Sequence, residues 1–247
     1  MILLTGATGT AGSFIANEFV RERVPVRILV RNRAKAAGFE KVSTVEIVEG
    51  DMSKRSTLGP ALDGVDRVLM ISAPVMDMVE TQSAFIDASK AAGVRHVIKF
   101  SGLDARPDTT FPFGLMHKEI EEYLERSGLA WTQLRPTGFM QEYLRETPSI
   151  IQNGAFYLAL GDTKLNPIDL VDVAKVGFLL LRGGGHEGAR LTHDWPGSAD
   201  HDGNGRLHFA RSRKDSAVRR SISNPAPTGV DSSWCPAADC RRSGQAG

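Results

Sequence analysis

The 247-residue sequence predicts an α/β protein built on one doubly wound parallel sheet. Three observations predict it. Short β-branched runs alternate with amphipathic stretches from residue 1 to about 181. The first, second and fourth runs are mainly apolar, as in strands covered on both faces. Glycines at Gly6, Gly9 and Gly12 punctuate the passage from the first run into the first amphipathic stretch.

Taken in order, the strands are "MILLT" (1–5), "VRILV" (26–30), "VEIVE" (45–49), "RVLMIS" (67–72), "HVIKFS" (96–101) and "AWTQLR" (130–135). Helices are expected to begin near Thr10, Ala34, Arg55, Met76, Phe113 and Asp169. The clearest is "MDMVETQSAFIDASKAAG", whose apolar residues recur at three- and four-residue steps until Gly93 supplies a stop. Right-handed crossovers assemble such units into the doubly wound sheet.

Beyond Gly183 the chain turns rich in Gly, Ser, Asp, Arg and Pro, and no helical or strand periodicity continues. The expected division is therefore a nucleotide-binding domain over 1–182, with part of a substrate lobe at about 137–168, and an atypical tail over 183–247.

Thirty basic and 29 acidic residues leave a net charge of +1, which supplies no electrostatic attraction to nucleic acid or a membrane surface. No apolar run has signal-peptide or membrane-spanning length, so a cytoplasmic protein with a small-molecule ligand is expected. Cys235 and Cys240 have neither redox nor zinc-ligand spacing, and no metal role is expected.

Gly6-x-x-Gly9-x-x-Gly12 stands where a pyrophosphate would lie against N–H groups at a helix N-terminus. Gly6 would permit the tight turn, Gly9 the approach of phosphate, and Gly12 the close packing of helix on strand, although the spacing departs from GxGxxG. The alternative is a glycine-rich turn that binds nothing. At the end of the second strand a carboxylate would select a ribose 2′-hydroxyl and an arginine a 2′-phosphate. Here Arg31 follows Gly12 by nineteen residues with no carboxylate before it, which favours NADP(H) and leaves NAD(H) possible. A solvated basic loop is the alternative.

Together, "TGATGTAG", "ILVRN", "EGDMSK", "ISAP", "VIKFSGLDA", "HKEIEEYLERSGLAWTQLRPTGFMQ" and "PIDLVDVAKV" resemble the NmrA-like atypical short-chain dehydrogenases over about residues 1–190. Within that family the sequence looks most like bacterial NAD(P)H-dependent reductases of quinones, triphenylmethane dyes and azo dyes. The resemblance implies a Rossmann fold and a set of cofactor positions. These are the glycine loop with Thr8 and Thr10, Arg31 at the adenosine phosphate, Asp51 and Met52 beside adenine, Ser72, Ala73 and Pro74 under ribose and nicotinamide, and Lys118 near the nicotinamide ribose. Asp51 has a second reading as N-cap of a helix through "SKRSTLGPAL".

Short-chain dehydrogenases commonly pair Lys with a Tyr four residues earlier. Here that position is Gly114. Ser101 falls where the family usually places its hydroxyl partner, and His117 could donate a proton or simply be solvated. The missing tyrosine points to chemistry that needs little acid catalysis, such as hydride addition to a quinone or a cationic dye. Pro136, Phe139, Met140 and Tyr143 could form a flat apolar slot for such an acceptor, or could be core or lid packing.

Relatives would continue after "HEGA" with a strand like "LT-x-TGPEALT" and then a helix. Reading from the second base of the Asp194 codon, with ordinary codons, yields "TGPEALTMTEMAAYISPALGKTVRYVD". A one-nucleotide frameshift near His193 is expected on that ground, and a diverged or disordered tail is the alternative. Three functions fit the whole: a quinone or dye reductase, an NADP(H)-binding redox sensor without turnover, and a reductase of an imine or activated C=C bond.

Overall fold

In the computed structural model, residues 1–153 and 167–193 are described, with the short segments 199–201 and 207–209. Seven strands pair in parallel: β1 (Ile2–Thr5), β2 (Val26–Val30), β3 (Val45–Glu49), β4 (Arg67–Met70), β5 (His96–Phe100), β6 (Ala130–Pro136) and β7 (Ala189–His193). Their order is β3-β2-β1-β4-β5-β6-β7. The winding reverses between β1 and β4, which places the ligand crevice of such a sheet beyond the carboxyl ends of those two strands.

Side chains alternate across the sheet, so one strand feeds two cores. Leu4, Ile28, Ile98 and Leu134 pack against Ile15 and Phe19 of α1 (Thr10–Arg21) and Leu180 of α6 (Leu170–Arg182). Leu3, Val68, Met70 and Val97 face the other side. There they meet Leu62 of α2 (Gly59–Leu62), Phe85 of α3 (Met78–Ala91), and Ile120 and Leu124 of α4 (Pro112–Arg126). Burying each of these large side chains contributes roughly 1.5–3 kcal/mol against chain entropy. After β6 the chain makes a 3-10 turn, Met140–Glu146, and α5 (Thr147–Asn153). Asp169 then caps α6, its side chain accepting from Val171 N at 2.9 Å.

The helix expected near Ala34 is a 3-10 helix, Arg33–Phe39, capped by Asn32. Three expectations are corrected. The helix expected through "SKRSTLGPAL" is broken into a 3-10 turn, Arg55–Thr57, and the four-residue α2, because Pro60 lacks an N–H and is held to the first turn. Strand β6 runs one residue further, so Pro136 belongs to the sheet and pairs with His193. Finally, regular structure continues past Gly183: β7 joins the sheet edge against β6, and β8 (Ala199–His201) pairs antiparallel with β9 (Leu207–Phe209). Strand β7 is five residues with a mixed pattern, and it is recruited by β6's unpaired edge rather than by its own periodicity. The rest of the tail, including most of the segment to which the frameshift applies, lies outside the described residues, as does 154–166 of the expected substrate lobe. No helix among the described residues is long and apolar enough to cross a membrane, and no cluster of metal-ligating side chains occurs among them.

Candidate active site

The glycine turn is built by exclusion. Gly6 has φ +64°, in the region glycine enters without steric cost, and its carbonyl accepts from Gly9 N at 2.9 Å. A Cβ at Gly12 would stand 2.6 Å from the Gly6 carbonyl carbon. Gly12 is therefore required by the turn's own backbone, and not by the strand as its spacing suggested. Gly9 is the N-cap of α1, with no side-chain capping bond and no acidic residue in the first turn. The helix thus presents uncapped N–H groups and the positive end of its dipole at the crevice, an arrangement that suits a phosphate. Thr8 and Thr10 are exposed beside it.

Next to this turn, Thr5 ties β1 to the end of β4: its hydroxyl donates to Ile71 O and accepts from Ile71 N, each at 2.7 Å. Ser72, Ala73 and Pro74 follow, with Ala73 and Pro74 exposed at the crevice. Ser72 Oγ accepts from Gln82 Nε2 at 2.8 Å. Gln82, on α3, was not singled out from sequence, because a glutamine on a mixed helix face carries no signal of its own. Its Oε1 is buried without a hydrogen-bond partner among the described residues.

At the edge beyond β2, the two arginines differ. Arg33 donates to Ile47 O at 3.2 Å and pairs with Glu40 at 3.4 Å, so it is engaged in holding the 3-10 turn to β3. Arg31 is exposed, and no hydrogen bond or ion pair engages its guanidinium among the described residues. Asp51 Oδ1 accepts from Ser53 N at 3.0 Å and from Ser53 Oγ at 2.9 Å. Its carboxyl is held below the usual range, first by the Ser53 N–H and also by the charge of Arg31. Asp51 closes a local turn and does not cap a helix. Met52 is part-buried against the α2 and α3 side of the sheet.

The position four residues before Lys118 is closed. A Cβ at Gly114 would stand 2.6 Å from both Asp104 O and Thr109 Oγ1. The loop after β5 lies directly on α4 there, and no side chain fits, least of all a phenol. Lys118 is part-exposed, its ammonium 4.0 Å from Glu122. Ser101 is 4% exposed, and its Oγ has no hydrogen-bond partner among the described residues.

His117 is not solvated in the way a first-turn histidine ordinarily is. Its Nδ1 lies 2.8 Å from Nζ of Lys99, a residue of β5 with 0% exposure. Burial pushes His117 down to about 3, helped by the charge of Lys99. Lys99 is pushed down to about 7, also by burial, with Glu121 opposing and Arg135 reinforcing the shift. Glu121 is itself bound by Arg135, whose Nε donates to it at 3.0 Å. Lys99 escaped sequence analysis although a signal existed: it is the charged residue in the middle of the apolar run "HVIKF", on a strand buried along its whole length.

The four slot candidates separate. Pro136 is buried. Phe139 packs on Phe100 at 6.2 Å between ring centroids and bridges to Ile168, so it serves the core. Met140 and Tyr143 are half-buried in the following turn, which Gln141 ties to the start of α6 through Asp169 at 2.7 Å and Leu170 N at 3.0 Å. Burial raises the Tyr143 phenol above its ordinary range.

The sheet order, the switch-point crevice and the uncapped glycine turn define a Rossmann-fold dinucleotide-binding protein. A family profile described as NAD(P)H-binding matches residues 6–178, and the chain belongs to that family, in its NmrA-like atypical short-chain dehydrogenase branch. It is 37% identical over 187 residues to an NAD(P)H azoreductase of Xenophilus azovorans, an alignment covering 76% of this chain and 65% of the relative. It is 34% identical over 194 residues to quinone oxidoreductase 2 of Escherichia coli, covering 76% of this chain and 66% of that one. The chain thus spans about two thirds of the length of these relatives. Among solved structures, the Escherichia coli NADPH-dependent quinone oxidoreductase complexed with NADPH superposes with a TM-score of 0.72 at 31% identity, covering 78% of this chain and 69% of that one. The Citrobacter triphenylmethane reductase complexed with NADP(H) shares the fold, with a TM-score of 0.73 at 23% identity, covering 81% of this chain and 72% of that one.

Proposed function

We propose that the protein is an NAD(P)H-dependent reductase that passes hydride from NADPH to a quinone-like or dye-like aromatic acceptor. The observation that carries this reading is the uncapped N-terminus of α1 behind a turn in which no side chain fits at Gly12. The azoreductase and quinone oxidoreductase names of its relatives supply the acceptor class.

The residues present fit the cofactor. The α1 N–H groups and the Gly6–Gly12 turn would hold the pyrophosphate, Arg31 the adenosine 2′-phosphate, and Asp51 and Met52 the adenine side. Ser72, Ala73 and Pro74 would run beneath the ribose and nicotinamide, with Lys118 towards that ribose. Two buried polar atoms that have no partner among the described residues, Ser101 Oγ and Gln82 Oε1, lie near the carboxyl edge of the sheet and gain from a polar ligand there. Bound NADPH supplies the hydride. The chain's own residues orient the acceptor and exclude water around it, and Gly114 leaves no place for the usual tyrosine acid. Met140 and Tyr143, together with the exposed Val75 and Met76, would supply the acceptor wall.

The test is NADPH oxidation followed by absorbance, beside NADH, with a quinone, a triphenylmethane dye and an azo dye. Turnover with at least one acceptor and preference for NADPH are expected. Tight NADPH binding with no turnover on any acceptor would replace this reading with a cofactor-sensing one.

A further inference from the structure

Building on the reductase reading, we infer that Lys99 and His117 form a two-residue proton relay that completes reduction of the acceptor, with His117 the catalytic donor and Lys99 the residue that positions and recharges it.

The ring has its two nitrogens on two different tasks. Nδ1 faces the buried Lys99 ammonium at 2.8 Å and can only accept from it, so the neutral ring carries its proton on Nε2. The Nε2 edge faces the loop after β5: a Cβ at Gly102 would stand 3.5 Å from Cδ2 and 3.8 Å from Nε2. That loop is at the carboxyl edge, joined to the end of β6 where Leu103 N donates to Pro136 O at 3.1 Å. Ser101, one residue earlier, is the hydroxyl expected at the acceptor. His117 therefore stands between a fully buried amine and the reaction crevice.

Burying a lysine is costly unless its charge is compensated. The charged groups acting on Lys99 are Glu121 of α4 and Arg135 of β6, and these two are hydrogen-bonded to each other. Among the described residues Lys99 Nζ has the imidazole as its hydrogen-bond partner and no carboxylate. A structural filler at this place would be apolar. An ammonium whose acidity lies near neutrality, coupled through one imidazole to the crevice, is instead suited to release a proton on demand.

Hydride transfer delivers two electrons and one proton to a quinone and leaves an oxyanion. The His117 Nε2–H bond breaks and its proton goes to that oxyanion. Nδ1 takes a proton from the Lys99 ammonium, which becomes the neutral amine, and the ring ends as the other tautomer. Solvent recharges the pair through Nε2 after the hydroquinone departs. A triphenylmethane cation needs none of this, since hydride addition alone gives the neutral product.

The first experiment needs no cofactor: nitrogen-15 imidazole NMR on the full chain. We expect His117 to carry its proton on Nε2 and not to titrate between pH 5 and 8. A ring protonated on Nδ1, or one titrating near pH 6.5, overturns the relay. The second compares a quinone with a triphenylmethane cation under NADPH. Lys99→Met is expected to lower the quinone-to-dye rate ratio at least tenfold. It should also abolish the parent's loss of quinone kcat/KM above pH about 7, where Lys99 discharges. His117→Gln should give the same ratio, and the double variant no further loss. An unchanged ratio in both single variants overturns the relay, and if Lys99→Met does not fold, His117→Gln decides the kinetic comparison. Failure of the parent to turn over the quinone, the triphenylmethane cation and an azo dye alike overturns the reductase reading itself, while the NMR result still decides how the ring is held.

Discussion

Gly114 of α4 lies against the backbone of Asp104 so closely that a Cβ at 114 would stand 2.6 Å from the Asp104 carbonyl oxygen. The absent tyrosine is thus a packing decision as well as a chemical one. Restoring it by Gly114→Tyr is expected to break the contact between α4 and the loop after β5 rather than to add an acid. The milder Gly114→Ala should cost about 1–3 kcal/mol, as overpacking does, read as a fall in the chemical-denaturation midpoint at constant slope.

Gly12→Ala is expected to disrupt the cofactor turn, because its Cβ overlaps the Gly6 carbonyl. NADPH affinity measured by calorimetry should fall at least tenfold. Gly138→Ala, at an exposed position with open space around the added carbon, should leave that affinity within about twofold.

Arg31→Ala should weaken NADPH by roughly tenfold to a hundredfold, the loss of one charge-assisted contact of about 1.5–3 kcal/mol, while NADH is little changed. Arg33→Ala should instead act on stability, since its guanidinium is bound to Ile47 O and Glu40. Equal loss for both dinucleotides with Arg31→Ala would remove Arg31 from the 2′-phosphate.

Stability should fall as the solution is acidified from about pH 6.5 towards 4. His96 is buried at the start of β5, bound to Thr132 Oγ1 at 2.9 Å, and burial, with the nearby His186, pushes it down to about 4. The unfolded chain therefore binds a proton there that the folded chain does not, and His117 adds a second. Each contributes up to about 1.4 kcal/mol per pH unit, so unfolding free energies at pH 7, 6 and 5 should decline progressively. A flat profile would contradict the burial of both rings.

Lys99 acts on the alkaline side. Its folded value of about 7 lies below the ordinary lysine value of 10.5, so the folded state gains stability as pH rises through that interval. Lys99→Met should remove this rise, and its denaturation midpoint should be nearly constant from pH 7 to 9.5.

Much of this was legible in the chain. Strand positions β1 to β6 follow from short β-branched runs, most of them buried by the parallel sheet on both faces although β3, at the edge, is not, and the α1 and α6 starts follow from Gly9 and Asp169 as helix boundaries. Other features were not legible because they depend on residues distant in sequence. Strand β7 exists because the edge of β6 is there to be paired. The two roles of Arg31 and Arg33 separate only when β3 and the 3-10 turn are in place. Phe139 belongs to the core through Phe100, nearly forty residues earlier.

The doubly wound sheet, the glycine turn and the family are written in the linear chain, because hydrophobic period and backbone permissiveness are local properties that a linear pattern expresses directly. Folding in three dimensions is what closes Gly114 to any side chain, buries Ser101 Oγ without a partner among the described residues, and sets His117 against a buried lysine. Those facts arise where β5, α4 and the loop between them close on one another. Burial, and the protonation state it sets, is a property of that enclosure rather than of any residue in the chain.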